Sequence, residues 1–149
     1  MSGRITLPVR MELLSDAIFG TGCSVPGGED IAVCRDDEGR PYLKGSTLKG
    51  LFRASLENWI AWTGGTQETV DELLGAPGWD GLADRRRIHL SELRLCEPPA
   101  AVEECYGTRT FISLNERGTA ENGTLRMASC ICRGMTFAGE VDCARADEE

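Results

Sequence analysis

Residues 41–53 read PYLKGSTLKGLFR, and within this stretch the pattern of the chain changes from extended to helical. From Leu48 onward the apolar residues recur at spacings of three and four, which is typical of one face of a helix. Ser46 and Thr47 are residue types that cap helix N-termini. We therefore predict a helix from about Thr47 to Ala61, preceded by a short extended segment.

The segments on either side of this helix have equally clear patterns. From Ile5 to Leu13 apolar and polar residues alternate, which predicts a half-buried strand. A loop rich in glycine follows at residues 20–28. Beyond the helix, Thr66 to Leu74 predicts a second, short helix that is closed by Gly75.

The C-terminal half has the alternation that is typical of strands. One strand is predicted over Ile88 to Leu95, with a bulge near Ser91. Two more are predicted over Thr110 to Leu114 and Thr124 to Cys132, and the pair Asn122-Gly123 between them is favoured in tight turns. A strand, then helices, then several strands predict an α+β domain.

Length and composition restrict the class of protein. The 149 residues, 41% of them hydrophobic, fit a single domain over residues 1–149. No apolar run approaches the roughly 20 residues that span a bilayer, and the seven cysteines are scattered, as is typical of reduced thiols. We therefore expect a cytoplasmic protein with no membrane partner. The net charge of −8 argues against an isolated nucleic-acid binder unless the cations share one surface.

The predicted helix start combines backbone N–H groups with nearby cations, and helix N-termini of this kind bind phosphate. Lys44 precedes the helix, while Lys49 and Arg53 are four positions apart and therefore share a helical face. Two cations on one face could follow a nucleic-acid backbone. The alternative is that both are solvated and that Arg53 pairs with Glu57 at the next turn.

The histidine and the cysteines, residue types that enzymes commonly use for catalysis or metal binding, form a weaker pattern than the cations at the helix start. The single histidine, His89, lies in a predicted strand between two apolar residues, where a structural role is typical. Cys130 and Cys132 share a strand face but lack the Cys-x-x-Cys spacing of zinc sites. A small metal- or thiol-dependent enzyme that uses the cysteines and His89 is the alternative outside nucleic-acid binding.

Several segments occur in the order found in a known family. Asp30 precedes the apolar triplet Ile31–Val33, the pair Arg35-Asp36 follows, and residues 41–53 supply a Pro-Tyr-x-x-Gly-Ser-Thr-Leu-Lys-Gly-x-x-Arg segment. This order resembles the repeat-associated mysterious protein (RAMP) superfamily, and especially the backbone subunit of type III CRISPR effector complexes. Weaker similarity continues as far as residues 134–141.

The resemblance implies a fold. It is a modified RNA-recognition-like (ferredoxin-like) fold with a protruding β-hairpin near residues 105–125. Members of the family normally continue past the segment at residues 134–141 into a second helix and a last strand. Because this chain stops at Glu149, we expect it to lack that C-terminal helix and strand. It is then either a shortened subunit that a neighbouring chain completes, or one half of a split or fused arrangement.

The resemblance also implies partners and contact residues. The ligands are guide RNA and target RNA, and the protein partners are other CRISPR effector subunits, among them neighbouring RAMP-type chains. RNA contacts are implied for Gly22, Lys44, Ser46, Thr47, Lys49, Arg53 and Arg109. Side chains that wedge the bases apart are implied at Tyr106, Phe111 and Ile112. The alternative for Phe111 and Ile112 is packing within the sheet.

Asp30 occupies the position at which the resembled subunits need an aspartate for metal-dependent cleavage of target RNA. The resemblance therefore implies that Asp30 is catalytic in an endoribonuclease and that Mg²⁺ is the cofactor, because carboxylate oxygens are ligands that Mg²⁺ prefers. The alternative function is a non-catalytic RNA-binding scaffold or capping subunit of the same kind of complex.

Overall fold

Seven β-strands and two α-helices run through the part of the chain that the structure describes, residues 3–21, 32–76, 86–123 and 125–144 of a computed structural model. The strands are β1 (Arg4–Glu12), β2 (Tyr42–Leu43), β3 (Ile88–Leu90), β4 (Leu93–Cys96), β5 (Tyr106–Phe111), β6 (Arg126–Ile131) and β7 (Thr136–Ala144). The helices are α1 (Gly45–Thr63) and α2 (Gln67–Leu74), and a 3₁₀ helix, Val102–Cys105, precedes β5. This mixture of helices and antiparallel strands confirms the predicted α+β class.

The strands form two sheets. The larger sheet has the order β1–β7–β4–β2, and β3 also pairs with β7. In that antiparallel pairing Leu90 lies opposite Val141. β5 and β6 form a separate two-stranded antiparallel sheet. We call β5, β6 and the residues that connect them the ribbon.

The strand predicted over Ile88 to Leu95 is two strands in the structure, β3 and β4, and Ser91 lies at the break. The Ser91 hydroxyl donates to the carbonyl of Glu92 (2.9 Å) and accepts from the backbone N–H of Glu140 (2.8 Å). A Cβ atom on Gly139 would lie only 2.7 Å from the same hydroxyl oxygen. The close approach at this break therefore requires glycine at position 139.

Helix α1 begins two residues earlier than predicted, at Gly45, and its N-cap residue is Lys44. The prediction that Ser46 or Thr47 caps the helix is therefore wrong, because both residues lie inside the first turn. A Cβ atom on Gly45 would lie 3.1 Å from the carbonyl carbon of Ser91. The helix can start here because glycine lets its backbone approach the chain that follows β3.

Both helices end at glycines, as the sequence predicts for α2. Gly64 closes α1 in the left-handed conformation, with φ of 80°, and its N–H donates to the carbonyl of Ile60 (2.8 Å). Gly75 closes α2, and its N–H donates to the carbonyl of Asp71 (2.8 Å). These bonds satisfy carbonyl groups that a helix terminus otherwise leaves without partners.

The chain divides into two compact units. The first comprises residues 1–10, 43–93 and 138–149. The buried centre of this unit is a cluster of apolar side chains from both helices and from β3: Leu56, Ile60, Val70, Leu73, Leu74 and Ile88. Among the described residues, no helix is long and apolar enough to cross a membrane.

The second unit comprises residues 11–42 and 94–137. Its buried residues include Cys105 and Ile131 at the base of the ribbon. Phe137 is also fully buried, and the ring of Phe19 packs edge-to-face against it with 5.5 Å between the centroids. The sequence-based prediction of one domain over residues 1–149 stays a prediction.

The tip of the ribbon lies at residues 115–119, and the Asn122-Gly123 pair that the sequence favours forms a second turn, with Gly123 at φ of 78°. The Asn115 side-chain oxygen accepts from the backbone N–H groups of Arg117 and Thr119 (both 3.0 Å). The N–H of Asn115 donates to the carbonyl of Thr119 (2.9 Å), which closes the loop. The predicted turn at Asn122-Gly123 is therefore present, but the loop that reverses the ribbon precedes it and is held by the bonds of Asn115 to its local backbone.

Candidate nucleic-acid interface

The N-terminus of α1 carries several of the residues that we expected to contact RNA. Lys44 is the half-buried N-cap residue, and Ser46 and Thr47 are exposed in the first turn. Within the described chain, no side chain caps this helix end and its first turn contains no acidic residue. Because the helix dipole is positive here, the end of α1 can accept an anion. Lys49 is half-buried one turn further along.

Arg53 joins α1 to α2. Its guanidinium forms an ion pair with Asp71 (2.8 Å), lies 3.8 Å from the carboxylate of Glu57, and donates to the backbone carbonyl of Gly75. Only 15% of the Arg53 side chain is exposed. The geometry therefore favours a structural role for Arg53 at the end of α2, and it includes the Glu57 pairing that the sequence left open.

Arg109 lies on β5 and forms an ion pair with Asp16. The backbone N–H of Arg133 also donates to the Asp16 carboxylate (2.9 Å). These two bonds, first the one from Arg133 and then the one from Arg109, hold the pKa of Asp16 below its usual value. The Arg109 side chain is still 57% exposed. An RNA phosphate would therefore share this guanidinium with Asp16.

The ribbon is buried at its base and exposed toward its tip. At the base, Ala128 and Ile131 are almost completely buried. Toward the tip, five large apolar side chains are exposed by between 45% and 64%: Phe111, Ile112, Leu114, Leu125 and Met127. Packing of Phe111 and Ile112 within a sheet core is therefore not what the structure shows. The register puts Phe111 on the same face as Arg126, and Met127 on the other face with Thr110. A group of exposed apolar side chains typically marks an interaction surface.

Two arginines on the ribbon were not singled out from the sequence. Arg126 lies directly opposite Phe111 in the β5–β6 register, and Arg117 lies in the turn at the tip. Both are exposed, and neither forms an ion pair with a residue in the described segments. The position of Arg126 opposite Phe111 follows from strand register, which sequence alternation alone leaves open.

Tyr106 begins β5 at the base of the ribbon, far along the strand from the exposed apolar group. Its hydroxyl donates to the carbonyl of Gly39 (2.6 Å), and the guanidinium of Arg35 lies over its ring, 4.1 Å from the centroid. Burial raises the pKa of the phenol to about 12. These contacts hold the ring in place, so the geometry gives Phe111 and Ile112 a better position for wedging bases than Tyr106.

Two of the expected site residues, Gly22 and Asp30, lie outside the described residues. The predictions that Gly22 contacts RNA and that Asp30 is catalytic therefore stay predictions. Within the described segments, no group of three or more His, Cys, Asp or Glu side chains is placed to hold a metal ion. The expectation of Mg²⁺ also stays a prediction.

Three thiols gather at the base of the ribbon. The N–H of Cys132, just after β6, donates to the carbonyl of Cys105, the last residue of the 3₁₀ helix (2.9 Å), and Cys130 is buried on β6. Burial raises the pKa of the Cys105 and Cys132 thiols, which keeps them protonated and weakly nucleophilic. The geometry thus favours a packing role for these cysteines over thiol chemistry.

Comparison with known proteins gives one family and several similar structures. The model of the RAMP superfamily matches residues 10–148. A chain of the type III-B Cmr-beta complex in its apo state has a TM-score of 0.66 and 10% sequence identity, with 95% of this chain and 85% of that chain covered. A chain of the type III-B Cmr-beta complex bound to cognate target RNA has a TM-score of 0.69 and 15% identity.

The second of these alignments covers 97% of this chain but only 48% of the other, so this chain spans about half the length of that subunit. At these identities the similarity shows a shared fold. A comparison with curated protein sequences found no match.

Proposed function

Because the chain belongs to the RAMP superfamily, we propose that it is a subunit of a type III CRISPR effector complex that binds guide RNA and target RNA. Two separate surfaces carry the binding: the N-terminus of α1, and the part of the ribbon near its tip. The observation that carries the proposal is the group of exposed apolar side chains on the ribbon, together with Arg126 opposite Phe111 and Arg117 in the turn at the tip.

The ribbon has the chemistry needed to open a step between bases. An apolar side chain inserted between bases replaces part of the stacking that is lost, and an aromatic ring does so best. Phe111 is the exposed aromatic residue on the described ribbon beyond its base. Arg126, directly opposite Phe111, is placed to contact a phosphate beside the opened step.

The N-terminus of α1 supplies a second kind of contact. Its backbone N–H groups and the positive end of the helix dipole favour a phosphate group. Lys44 adds a cation at the N-cap, with the Ser46 and Thr47 hydroxyls exposed beside it. We leave Arg53 out of this contact because its guanidinium is occupied by Asp71 and Gly75.

The finer description of the fold and the partners belongs to the same proposal. We propose that the ribbon is the protruding hairpin of a modified RNA-recognition-like, ferredoxin-like fold. We also propose that other CRISPR effector subunits are its protein partners. The similar structures support this, because both are chains of type III-B Cmr complexes and one of those complexes is bound to cognate target RNA.

The ribbon proposal is tested with the double variant Phe111→Ala, Ile112→Ala in the reconstituted complex. The reporter is target RNA with 2-aminopurine at the positions facing the ribbon, because its fluorescence rises when a base is unstacked. We expect the variant to lose this rise and to bind target RNA about 5-fold to 100-fold more weakly, the range for one lost stacking contact.

The matched control is Trp62→Ala, which removes an aromatic side chain that is 91% exposed on α1. It should leave the fluorescence and the affinity unchanged. If the double variant still unstacks the reporter base as the unmodified chain does, the ribbon does not act as a wedge.

We keep target-RNA cleavage through Asp30 as a second proposal, supported by the position of Asp30 before the apolar triplet in the family pattern. If Mg²⁺ binds at Asp30, it would supply charge stabilisation at the cleaved phosphate. The described residues add no cluster of metal ligands to this second proposal.

The cleavage proposal is tested with Asp30→Ala in the reconstituted complex. Asp37→Ala is the matched control, because Asp37 is an exposed carboxylate in the nearby turn. Loss of the cut opposite this subunit in the Asp30 variant alone, with target binding retained, would support catalysis. Unchanged cleavage would leave the non-catalytic scaffold or capping subunit as the function.

A further inference from the structure

An open groove of about 560 Å³ lies in the second unit, on the side of the ribbon base that carries Tyr106. This volume falls within the range of roughly 300–1,000 Å³ that is typical of small-ligand sites. One rim of the groove consists of Arg35, Glu38 and Gly39, and the opposite rim consists of residues 100–103. The aromatic ring between the two rims is that of Tyr106.

The aromatic ring in the groove is held rigidly. Tyr106 donates its hydroxyl proton to the carbonyl of Gly39 (2.6 Å). Gly39 itself belongs to a tight turn in which its N–H donates to the carbonyl of Asp36 (2.9 Å). The guanidinium of Arg35 rests on the ring at 4.1 Å from the centroid, which is within cation–π range. The positive charge of Arg35 therefore lies over the Tyr106 ring.

The charge of Arg35 is not neutralised by the carboxylates beside it. Asp36 accepts from the backbone N–H and the guanidinium of Arg40 (2.9 and 3.1 Å), and Glu38 pairs with Arg40 as well (2.9 Å). Burial acts to raise the pKa of Asp36, but these bonds outweigh it and lower the pKa. Arg35 is exposed and forms no ion pair with any described residue.

The opposite rim restricts what the groove can bind. Ala100, Ala101 and Val102 give it an apolar wall, and Glu103 adds an exposed carboxylate. A ligand with charge along its whole length, such as polyphosphate, would be repelled by Glu103. The two rims fit a ligand with three features. It has one anionic group that pairs with Arg35, a flat part that stacks on the Arg35 guanidinium, and hydrogen-bond donors for the Glu103 carboxylate. A ribonucleotide has all three, since its 2′-hydroxyl and base amino groups are donors.

We propose that this groove binds one unpaired nucleotide of RNA, with the base stacked on the Arg35 guanidinium and the phosphate at the edge of that guanidinium. Arginine planes are known stacking partners for splayed bases. The proposal rests on the proposed RNA-binding function and adds a third contact site, separate from α1 and from the tip of the ribbon.

The test measures binding of the purified full chain to fluorescein-labelled 12-nucleotide oligo(A) and oligo(U) by anisotropy at several salt concentrations. Arg35→Ala should weaken binding about 5-fold to 100-fold and lower the salt slope by about 0.7, the value for one phosphate contact with a single strand. Arg35→Lys should keep the slope but still bind more weakly, because it keeps the charge and loses the plane.

The preference for oligo(A) over oligo(U) is a second readout, because purine bases stack more strongly than pyrimidine bases. The loss of a merely structural contact would not change this preference. Both Arg35 variants should reduce it. Arg4→Ala is the matched control, because Arg4 is an exposed arginine of the first unit with no ion pair in the described segments. It should change affinity less than 2-fold.

The outcomes separate this proposal from the general one. If the unmodified chain binds neither oligonucleotide, the groove proposal fails, while the proposed function is decided separately by the experiment on the reconstituted complex. If the unmodified chain binds while Arg35→Ala behaves like Arg4→Ala, only the groove proposal is refuted. If Arg35→Lys matches the unmodified chain in affinity and in preference, charge alone acts and base stacking is refuted. Thermal unfolding of each variant shows whether it is folded. If Arg35→Ala is not folded, the result for Arg35→Lys decides the groove proposal.

Discussion

Replacing Arg53 by alanine distinguishes a structural role for this residue from a role in RNA binding. In the structure its guanidinium bonds to Asp71 (2.8 Å), donates to the last carbonyl beyond α2, that of Gly75, and lies 3.8 Å from Glu57. Each of these partners comes from α1, α2 or the C-cap of α2. The substitution therefore removes the polar link between the two helices of the first unit.

The size of the effect follows from these contacts. A hydrogen bond to a charged group contributes about 1.5–3 kcal/mol, and this value applies best to Asp71 because the Arg53 side chain is only 15% exposed. Asp71 is 32% exposed, so water can partly solvate it after the substitution. The pair with Glu57 contributes a few tenths of a kcal/mol at most. We expect the free energy of unfolding to fall by about 2–3 kcal/mol.

The assay is urea unfolding at neutral pH, followed by a double-mutant cycle with Asp71→Ala. The coupling energy between the two positions should be about 1–2 kcal/mol. Arg4→Ala is the control for removal of an exposed arginine and should change stability by less than about 0.5 kcal/mol. The reasoning is refuted if Arg53→Ala unfolds at the same urea concentration as the unmodified chain but lowers the salt slope of RNA binding by about 0.7.

Two further predictions concern the start of α1 and the base of the ribbon. Gly45→Ala should lower the free energy of unfolding by about 1–3 kcal/mol in urea titration, because its methyl group would overlap the chain at Ser91. Gly50→Ala, with no described atom within 4 Å of its Cβ position, should instead raise that free energy by up to about 1 kcal/mol; equal effects of both substitutions would contradict the packing argument. Asp16→Asn should destabilise the chain at pH 7, and the difference from the unmodified chain should shrink as the pH falls below about 4. The reason is that the lowered pKa of Asp16 adds stability above the unfolded-state pKa, and this stability is lost as the carboxylate is protonated. A difference that stays constant from pH 7 to pH 3 in urea titrations would rule out this linkage.

Much of the secondary structure follows from local patterns. The apolar spacing from Leu48 predicts α1, and Gly75 is found as predicted at the end of α2. The alternation from Ile5 predicts β1 as a strand, which the structure places at Arg4–Glu12. Its predicted half-burial is wrong for Ile5 and Leu7, which are 40% and 50% exposed. These predictions succeed because helix and strand periods and glycine caps depend on residues that are close together in the sequence.

The errors in the predicted element boundaries occur where contacts with residues distant in the sequence decide the local structure. The start of α1 moves to Gly45 because the chain beyond β3 comes close enough to exclude a Cβ atom. The single strand predicted over Ile88 to Leu95 divides at Ser91, where both the backbone and the hydroxyl bond to Glu140 of β7. The local pattern signals the irregularity at Ser91 only as a slip in the alternation, and it carries no signal for the close approach at Gly45.

The candidate site also has features that the sequence predicts and features that only the tertiary structure decides. The order of segments from Asp30 to Arg53 suffices by itself for the family, because the match depends on residue types at fixed spacings, and the family model that matches residues 10–148 agrees. Only the tertiary structure decides which cations are available. It ties Arg53 to Asp71 and Arg109 to Asp16, and it places Arg35 on Tyr106 with no carboxylate partner among the described residues. The physical reason is that a residue's type sets its charge, whereas the neighbours that neutralise this charge are brought by the fold from distant parts of the chain.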